Sequence, residues 1–228
     1  MSCNKNKVEP NNSKGVSSAV FNPDITYGTM TDQEGNVYKT VTIGTQTWMA
    51  ENLRTTLYND STPIPHVTVD SDWSTLTTGA FCNLHNTTDV NFIATYGRLY
   101  NWHAINTGKL APTGWHVPTD AEWTTLVTFL GGSTVAGGEL KEVGSTHWQS
   151  VNVAATNSSG FTGLPGSQRN PTGTFRVSIG LGQWWSSTPN TGSGLDVAFS
   201  RYLYYGYGDI STISEKKVNG FSVRLVMD

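Results

Sequence analysis

The stretch Gly114-Trp-His-Val-Pro-Thr-Asp-Ala-Glu-Trp123, running on through Thr-Thr-Leu-Val-Thr-Phe-Leu-Gly-Gly132, marks both ends of one helix. Thr119 can accept a hydrogen bond from the Glu122 backbone N–H while the Glu122 carboxylate takes the Thr119 N–H, a capping box that satisfies two orphan donors reciprocally. Pro118 and Trp123 stand at the staple positions on either side. Trp123, Leu126, Val127 and Leu130 recur at the spacing that shares one helical face, and Gly131 suits the left-handed residue that ends a helix. The pattern predicts a helix over 119–130 with Trp123 and Leu126 buried. Trp115 and Trp123 carry too much apolar area to leave wet, so the face reads as core and not as a ligand site.

Few other runs are periodic over such a length. Charged residues make up 14% of the chain and glycine contributes 24 residues, which suits short strands and many turns more than long charged helices. Glu34-Gly35-Asn36 is a turn signal, and Val37, Lys39, Val41 and Ile43 then alternate with Tyr38, Thr40 and Thr42. Gly44-Thr45 can reverse the chain into Thr47-Trp48-Met49, so a β-hairpin is expected. Residues 55–95 read as long loops with one short helix, and Leu99 and Trp102, three apart, predict a short helix over 96–105 beside the longer one. Residues 132–183 read as irregular structure with short strands. Strands are expected over 183–188, 196–205 and 218–226, the last with Phe221, Val223 and Leu225 on one face. A hairpin first, helices in the middle and strands late give an α+β class. One domain over 30–228, behind an N-terminal tether of residues 1–29, fits the length.

Several functions lose support at this level. A net charge of -3 without a Lys/Arg cluster offers nucleic acid little. No apolar run approaches the roughly 18 residues that span a bilayer. There is no GxSxG elbow, HExxH pair or phosphate loop, and Gly180-Leu-Gly182 lacks the third glycine and following helix of a dinucleotide site. Cys3 and Cys82 sit in no metal-ligand spacing. Among the five histidines, His66, His85, His103, His116 and His147, none forms a short-range ligand pair, and His103 and His116 flank the aromatic helices as structural groups. No catalytic residue, metal site or cofactor is therefore expected, although Asp- and Asn-rich loops are compatible with a structural calcium ion.

Binding remains. In 197–205, Val197, Phe199, Arg201 and Leu203 are expected to face inward, and Ala198, Ser200, Tyr202 and Tyr204 outward, with Tyr205, Tyr207, Asp209 and Ser211 continuing into a turn. Tyr among Ser, Gly and Asp makes an adaptable recognition surface, because Tyr gives large contact area at low entropic cost. The candidate ligand-binding residues are Trp184, Ser200, Tyr202, Tyr204, Tyr205, Tyr207, Asp209 and Ser211. The alternative is a Tyr-decorated strand packed under a loop.

Eight motifs in order carry a resemblance. They are Asp32-Gln-Glu-Gly-Asn-Val-Tyr-Lys-Thr-Val-Thr-Ile-Gly44, Trp48-Met-Ala-Glu-Asn-Leu53, Tyr100-Asn-Trp102, the 114–123 stretch, Ser159-Gly-Phe161, Leu164-Pro-Gly166, Trp184-Trp-Ser-Ser-Thr188 and Gly220-Phe-Ser-Val-Arg224. Over roughly residues 30–228 the chain resembles the Fibrobacter succinogenes major paralogous domain family, common in lipoproteins of the Bacteroidetes. The resemblance implies a C-type lectin-like single domain, akin to formylglycine-generating enzymes, with two helices, short antiparallel strands and long loops. It does not carry over their oxidase chemistry, which depends on cysteines near the C-terminal region; no cysteine follows Cys82 here. The Glu-Pro-Asn and Trp-Asn-Asp motifs of sugar-binding lectins are also missing. The beginning Met1-Ser2-Cys3-Asn-Lys-Asn-Lys7 resembles a lipoprotein whose leader has been replaced by Met. It implies lipidation at Cys3, a monomer on the outer membrane or cell surface, and membrane contact through that anchor alone; the other reading is an ordinary cytoplasmic N-terminus. Many targets of diversity-generating retroelements are similar to this family. By that likeness Phe199, Arg201 and Leu203 would be scaffold, and the Tyr, Ser and Asp positions from Ser200 to Ser211 would vary. The function so implied is non-enzymatic binding of a protein or glycan through a Tyr-rich C-terminal face. An unrecognised carbohydrate-active or hydrolytic enzyme and a structural subunit of a surface assembly are the alternatives.

Overall fold

The computed structural model describes residues 14–176 and 179–228, so Cys3 lies outside the described residues. In chain order the elements are β1 (Gly28–Thr31), β2 (Val37–Ile43), β3 (Gln46–Met49), α1 (Asp70–Ser74), β4 (Phe81–Asn83), α2 (Val90–Tyr96), β5 (Arg98–Asn101), α3 (Trp102–Asn106) and β6 (Trp115–His116). There follow α4 (Asp120–Phe129), α5 (Ser133–Leu140), β7 (Gln168–Arg169), β8 (Phe175–Arg176), β9 (Leu181–Pro189), β10 (Val197–Tyr204), β11 (Ile210–Lys216), β12 (Gly220–Phe221) and β13 (Val226–Met227). They form three antiparallel sheets, ordered β1-β2-β3-β13-β6, β4-β5-β12-β7-β8 and β9-β10-β11. The class is α+β. In the first sheet the last strand, β13, sits beside β3 of the first hairpin, with Val226 opposite Trp48.

The helix predicted from its caps is α4. Thr119 N–H donates to Glu122 Oε2 at 2.7 Å, Glu122 N–H to Thr119 Oγ1 at 3.3 Å, and Gly131 has φ of 86°. Trp123 and Leu126 are fully buried, and the Trp123 ring lies 4.8 Å from that of Trp48. The hairpin is β2–β3, with Val41 opposite Trp48. Its inward phase differs from the simple alternation: Tyr38 is buried and Val37 exposed, because the Tyr38 hydroxyl donates to buried Asp32 at 2.6 Å.

Other expectations need correction. Residues 96–105 are not one helix: Gly97, at φ of 74°, ends α2, and a Cβ there would lie 2.5 Å from Asn52 and 2.8 Å from Leu53 O. The chain then becomes β5, which pairs with β4 and β12, before α3 begins. The stretch after Gly131 is not irregular at first, since α5 follows, and the described residues hold five α-helices where the resemblance implied two. The run 218–226 is two short strands, with 219–226 buried on both faces. Residues 14–27 are not a free tether. Ser18 N–H donates to Thr95 Oγ1, Val20 N–H to Glu142 Oε1, and Phe21, Ile25 and Tyr27 pack on the core.

Consecutive residues of β9 project to opposite faces. Trp184 enters a cluster with Trp48, Trp123, Trp148, Phe161 and Leu203, while Trp185 enters one with Tyr100, Ala198, Phe221, Val223 and Leu225. The three-stranded sheet thus stands between two cores. A third, smaller cluster surrounds Trp73 and includes Cys82, whose thiol burial pushes up to about 12.

Candidate functional site

Of the residues singled out for binding, Trp184 lies on β9, Ser200, Tyr202 and Tyr204 on β10, Tyr205, Tyr207 and Asp209 in the turn that follows, and Ser211 on β11. Arg201 faces Trp184 on one side and Thr212 on the other, and Leu203 faces Gly182 and Ile210. Leu203 is fully buried, and the Arg201 guanidinium reaches beneath α4 to Asp120 at 2.8 Å. On the opposite face of the strand, Tyr202 and Tyr204 are half-buried. Their rings stack at 6.2 Å with an interplanar angle of 10°. Tyr205 and Tyr207 close on Tyr204 at 4.6 and 5.6 Å. Tyr207 is 61% exposed, Asp209 is exposed and Ser211 is half-buried beside Tyr202. Tyr202, Tyr204, Tyr205, Tyr207, Asp209 and Ser211 therefore form one surface.

Two expected members do not belong to it. Ser200 is fully buried, with its hydroxyl between the Gln183 amide and Ile213 O, and Ala198 is buried as well. The alternation itself holds from Ser200 to Tyr204, which lie opposite Trp185 to Leu181 in unbroken register; Ala198 and Ser200 are buried because at this end of the strand that face is covered by the core that takes in Trp185. Trp184 is 1% exposed and gives its indole N–H to Asn52 Oδ1 at 2.9 Å. Its large apolar area belongs to the core.

The turn is held through its main chain. Tyr205 N–H donates to Gly180 O at 2.9 Å, Val153 N–H to Tyr205 O at 2.7 Å, and Gly138 N–H to Gly208 O at 2.9 Å. A Cβ at Gly137 would stand 1.9 Å from Asp209 O, so only glycine lets α5 approach the turn so closely. These bonds also bring up two neighbours that the sequence did not flag. Gln149 N–H donates to Ile179 O, and on these loops Ile179 is 60% and Val151 74% exposed. The loops bonded to the tyrosine turn thus carry two exposed aliphatic side chains. Burial raises the Tyr202 pKa, and the hydroxyl contact with Tyr205 raises that of Tyr204, so both stay neutral phenols at physiological pH.

A separate cavity of about 530 Å³ lies at the far end of the same strands, lined by Leu76, His103, Leu195, Val197, Glu215 and Lys217 among others. Burial raises the Glu215 pKa against hydrogen bonds from Gln183 and Asn219, and burial lowers that of His103. Lys217 is paired with Asp196 at 2.7 Å.

One serine, histidine and carboxylate stand in line. Glu142 meets His147 Nδ1 at 2.8 Å, and His147 Nε2 meets Ser18 Oγ at 2.9 Å. An acyl-transfer site also needs free N–H donors beside the serine. Here the Ser18 N–H is bonded to Thr95 and the Val20 N–H to Glu142 itself, so the chain of contacts fastens residues 16–21 to the body. His116 is likewise structural, bonded to Asp228 at 2.6 Å and Glu122 at 2.7 Å. Among the described residues no group of three or more His, Cys, Asp or Glu could hold a metal ion. No helix among them is long and apolar enough to cross a membrane.

A family model, the Fibrobacter succinogenes major domain, matches residues 41–227. No curated protein and no solved structure matches the chain.

Proposed function

We propose that this chain, which belongs to the Fibrobacter succinogenes major domain family, is a non-enzymatic binding domain that takes a protein ligand on the face formed by Tyr202, Tyr204, Tyr205 and Tyr207. The observation that carries the reading is the division of labour along 201–209. The main chain is bonded on both flanks while four aromatic rings stand at the surface against one another. A surface ordered before binding loses less entropy on association, and Tyr supplies contact area with few rotatable bonds. The exposed Val151 and Ile179 on the loops bonded to the turn favour a protein surface over a glycan, since aliphatic side chains have little to offer hydroxyl groups. The same reading includes a C-type lectin-like scaffold, anchoring to the bacterial envelope through a lipid on Cys3, action as a monomer, and diversification of the Tyr-bearing segment by a retroelement.

Capture of envelope and surface proteins by the immobilised chain, with and without Tyr202→Ala and Tyr204→Ala together, tests the binding claim. Loss of a specific partner by at least about thirtyfold is expected from aromatic anchors of this kind. Equal capture by both chains, or unfolding of the double variant, would end it. Mass spectrometry of the native protein should find Cys3 acylated. Sequencing of related strains should find a near-duplicate of the coding segment for residues 184–228 whose adenines are replaced in the gene itself.

A second reading rests on the 530 Å³ cavity, where two titratable groups with shifted pKa values, Glu215 and His103, share a largely apolar hollow. A hydrolytic role there would require that Glu215→Gln abolish turnover of some ester or glycoside while leaving tyrosine-dependent capture intact.

A further inference from the structure

Lys141, the residue that caps the C-terminal end of α5, has no exposed surface. The donors of its ammonium are fully used: Nζ donates to the carbonyl oxygens of Val153 at 2.8 Å, Tyr204 at 3.2 Å and Tyr207 at 2.6 Å. Two of these acceptors are main-chain atoms of the tyrosine turn, one before and one after Tyr205 and Gly206. The third lies on the loop whose Val153 N–H is bonded to Tyr205 O. Nζ stands 5.8 Å from the ring centre of Trp148. Burial pushes the Lys141 pKa down to about 8 and Asp209 opposes that shift, which leaves the group charged at neutral pH. A lone cation in such a place would be costly, and three carbonyl dipoles offset the cost. The acceptors at 204 and 207 belong to residues whose own side chains face away from Lys141, toward the surface.

We propose that Lys141 is the positioning residue of the binding face. Its ammonium sets the path of the main chain through 204–207, so the shape of the turn is independent of which side chains stand at 204, 205, 207 and 209. This rests on the turn being the recognition surface and adds how that surface keeps its form. A face built this way can change its chemistry by side-chain exchange without losing its geometry.

The test uses the full chain labelled with 3-fluorotyrosine. Lys141→Met keeps the stem and removes the charge and the three donors. In that variant the fluorine resonances of Tyr204, Tyr205 and Tyr207 should move toward the mobile, solvated position. Amide protection over 204–209 should fall at least about tenfold, while Tyr38, Tyr100, β9 and α4 keep theirs. If Lys141→Met does not fold, Lys141→Gln, which retains two donors, is read by the same measure and should show an intermediate fall. A second chain keeps Lys141 and carries Tyr204→Ser, Tyr205→Asn, Tyr207→Ser and Asp209→Asn. Its turn should stay within about threefold of the parent's protection. Unchanged protection without the ammonium, loss spread evenly over the molecule, or collapse of the exchanged turn would each overturn the proposal. None of these readouts needs a partner, so failure to find a ligand and failure of Lys141 to hold the turn are separate results.

Discussion

Arg224 and Lys141 are both buried cations that gather main-chain carbonyls, and the regions they organise differ in what is left over. Arg224 donates to Asn52 Oδ1 at 2.8 Å and to the carbonyls of Met49, Phe161 and Thr162, with the Phe161 ring centre 4.3 Å from its guanidinium. Asn52 also accepts the Trp184 indole N–H and donates to Tyr96 O. Every side chain in that knot points inward, and Asn52, Phe161, Trp184 and Arg224 are all at most 1% exposed. Around Lys141 the main chain is equally engaged, but the side chains of Tyr204, Tyr205 and Tyr207 reach the surface. Arg169 repeats the first arrangement, with Val67, Thr68 and Gly173 as acceptors under Trp73. Long loops can be fixed by a central cation whether or not their side chains are consumed in the fixing.

The comparison breaks most decisively at the knot. Arg224→Met removes the donors that reach the Met49, Phe161 and Thr162 carbonyls and leaves Asn52 Oδ1 with the Trp184 N–H alone, and a loss of about 4 kcal/mol or more is expected in urea unfolding. A loss under about 1 kcal/mol would put the knot on a par with the surface. Trp123→Ala, next in size, removes a fully buried ring packed on Trp48 and Phe161 and should cost about 3–5 kcal/mol by calorimetry or denaturant titration. Tyr202→Ala with Tyr204→Ala should shift the melting temperature by no more than about 3 °C, as surface positions do. A shift as large as that of Trp123→Ala would erase the distinction between the two regions.

The smallest effect tests a contact belonging to neither. Burial acts to lower the His116 pKa, but hydrogen bonds to Asp228 and Glu122 outweigh it and the net shift is upward. A folded pKa above the unfolded value of about 6.5 means that the folded chain holds the proton more tightly. The stabilisation is complete below that pH and is lost as pH rises through the folded value. The pair is partly exposed, so only a modest downward drift of the melting temperature above about pH 6.5 is expected, flattened in His116→Asn. An identical drift in the variant would assign it to other groups.

The capped helix and first hairpin were legible because their signals are local: a Thr and a Glu three apart, or a turn between alternating strands. The α5 helix was hidden by Gly137 and Gly138, which read as breakers until Asp209 O is seen where a Cβ would stand. Ser200 was misplaced because alternation tells which face a residue is on and not what covers that face: Ser200 shares a face with Tyr202 and Tyr204, but at its end of the strand the core around Trp185 lies over it. Trp184 looked available for a ligand because its partner, Asn52, is 132 residues away. Tyr202, Tyr204 and Tyr207 were legible as a surface from composition and alternation. The bonds that hold them were not, since nothing in the sequence around Lys141 announces acceptors 63 and 66 residues downstream. Residues 14–27 were unreadable for the same reason: their fastenings reach Thr95 and Glu142.

Cys82 has no exposed surface, and burial holds its thiol at about 12, far from the reactive thiolate. In the intact protein a thiol reagent has almost nothing to attack there. Modification of Cys82, distinguished from that of Cys3 by peptide mapping, therefore counts openings of the third core. Its rate is a clock for the moments when Trp73, Leu84 and Leu99 part, carried by the native sequence and requiring no label.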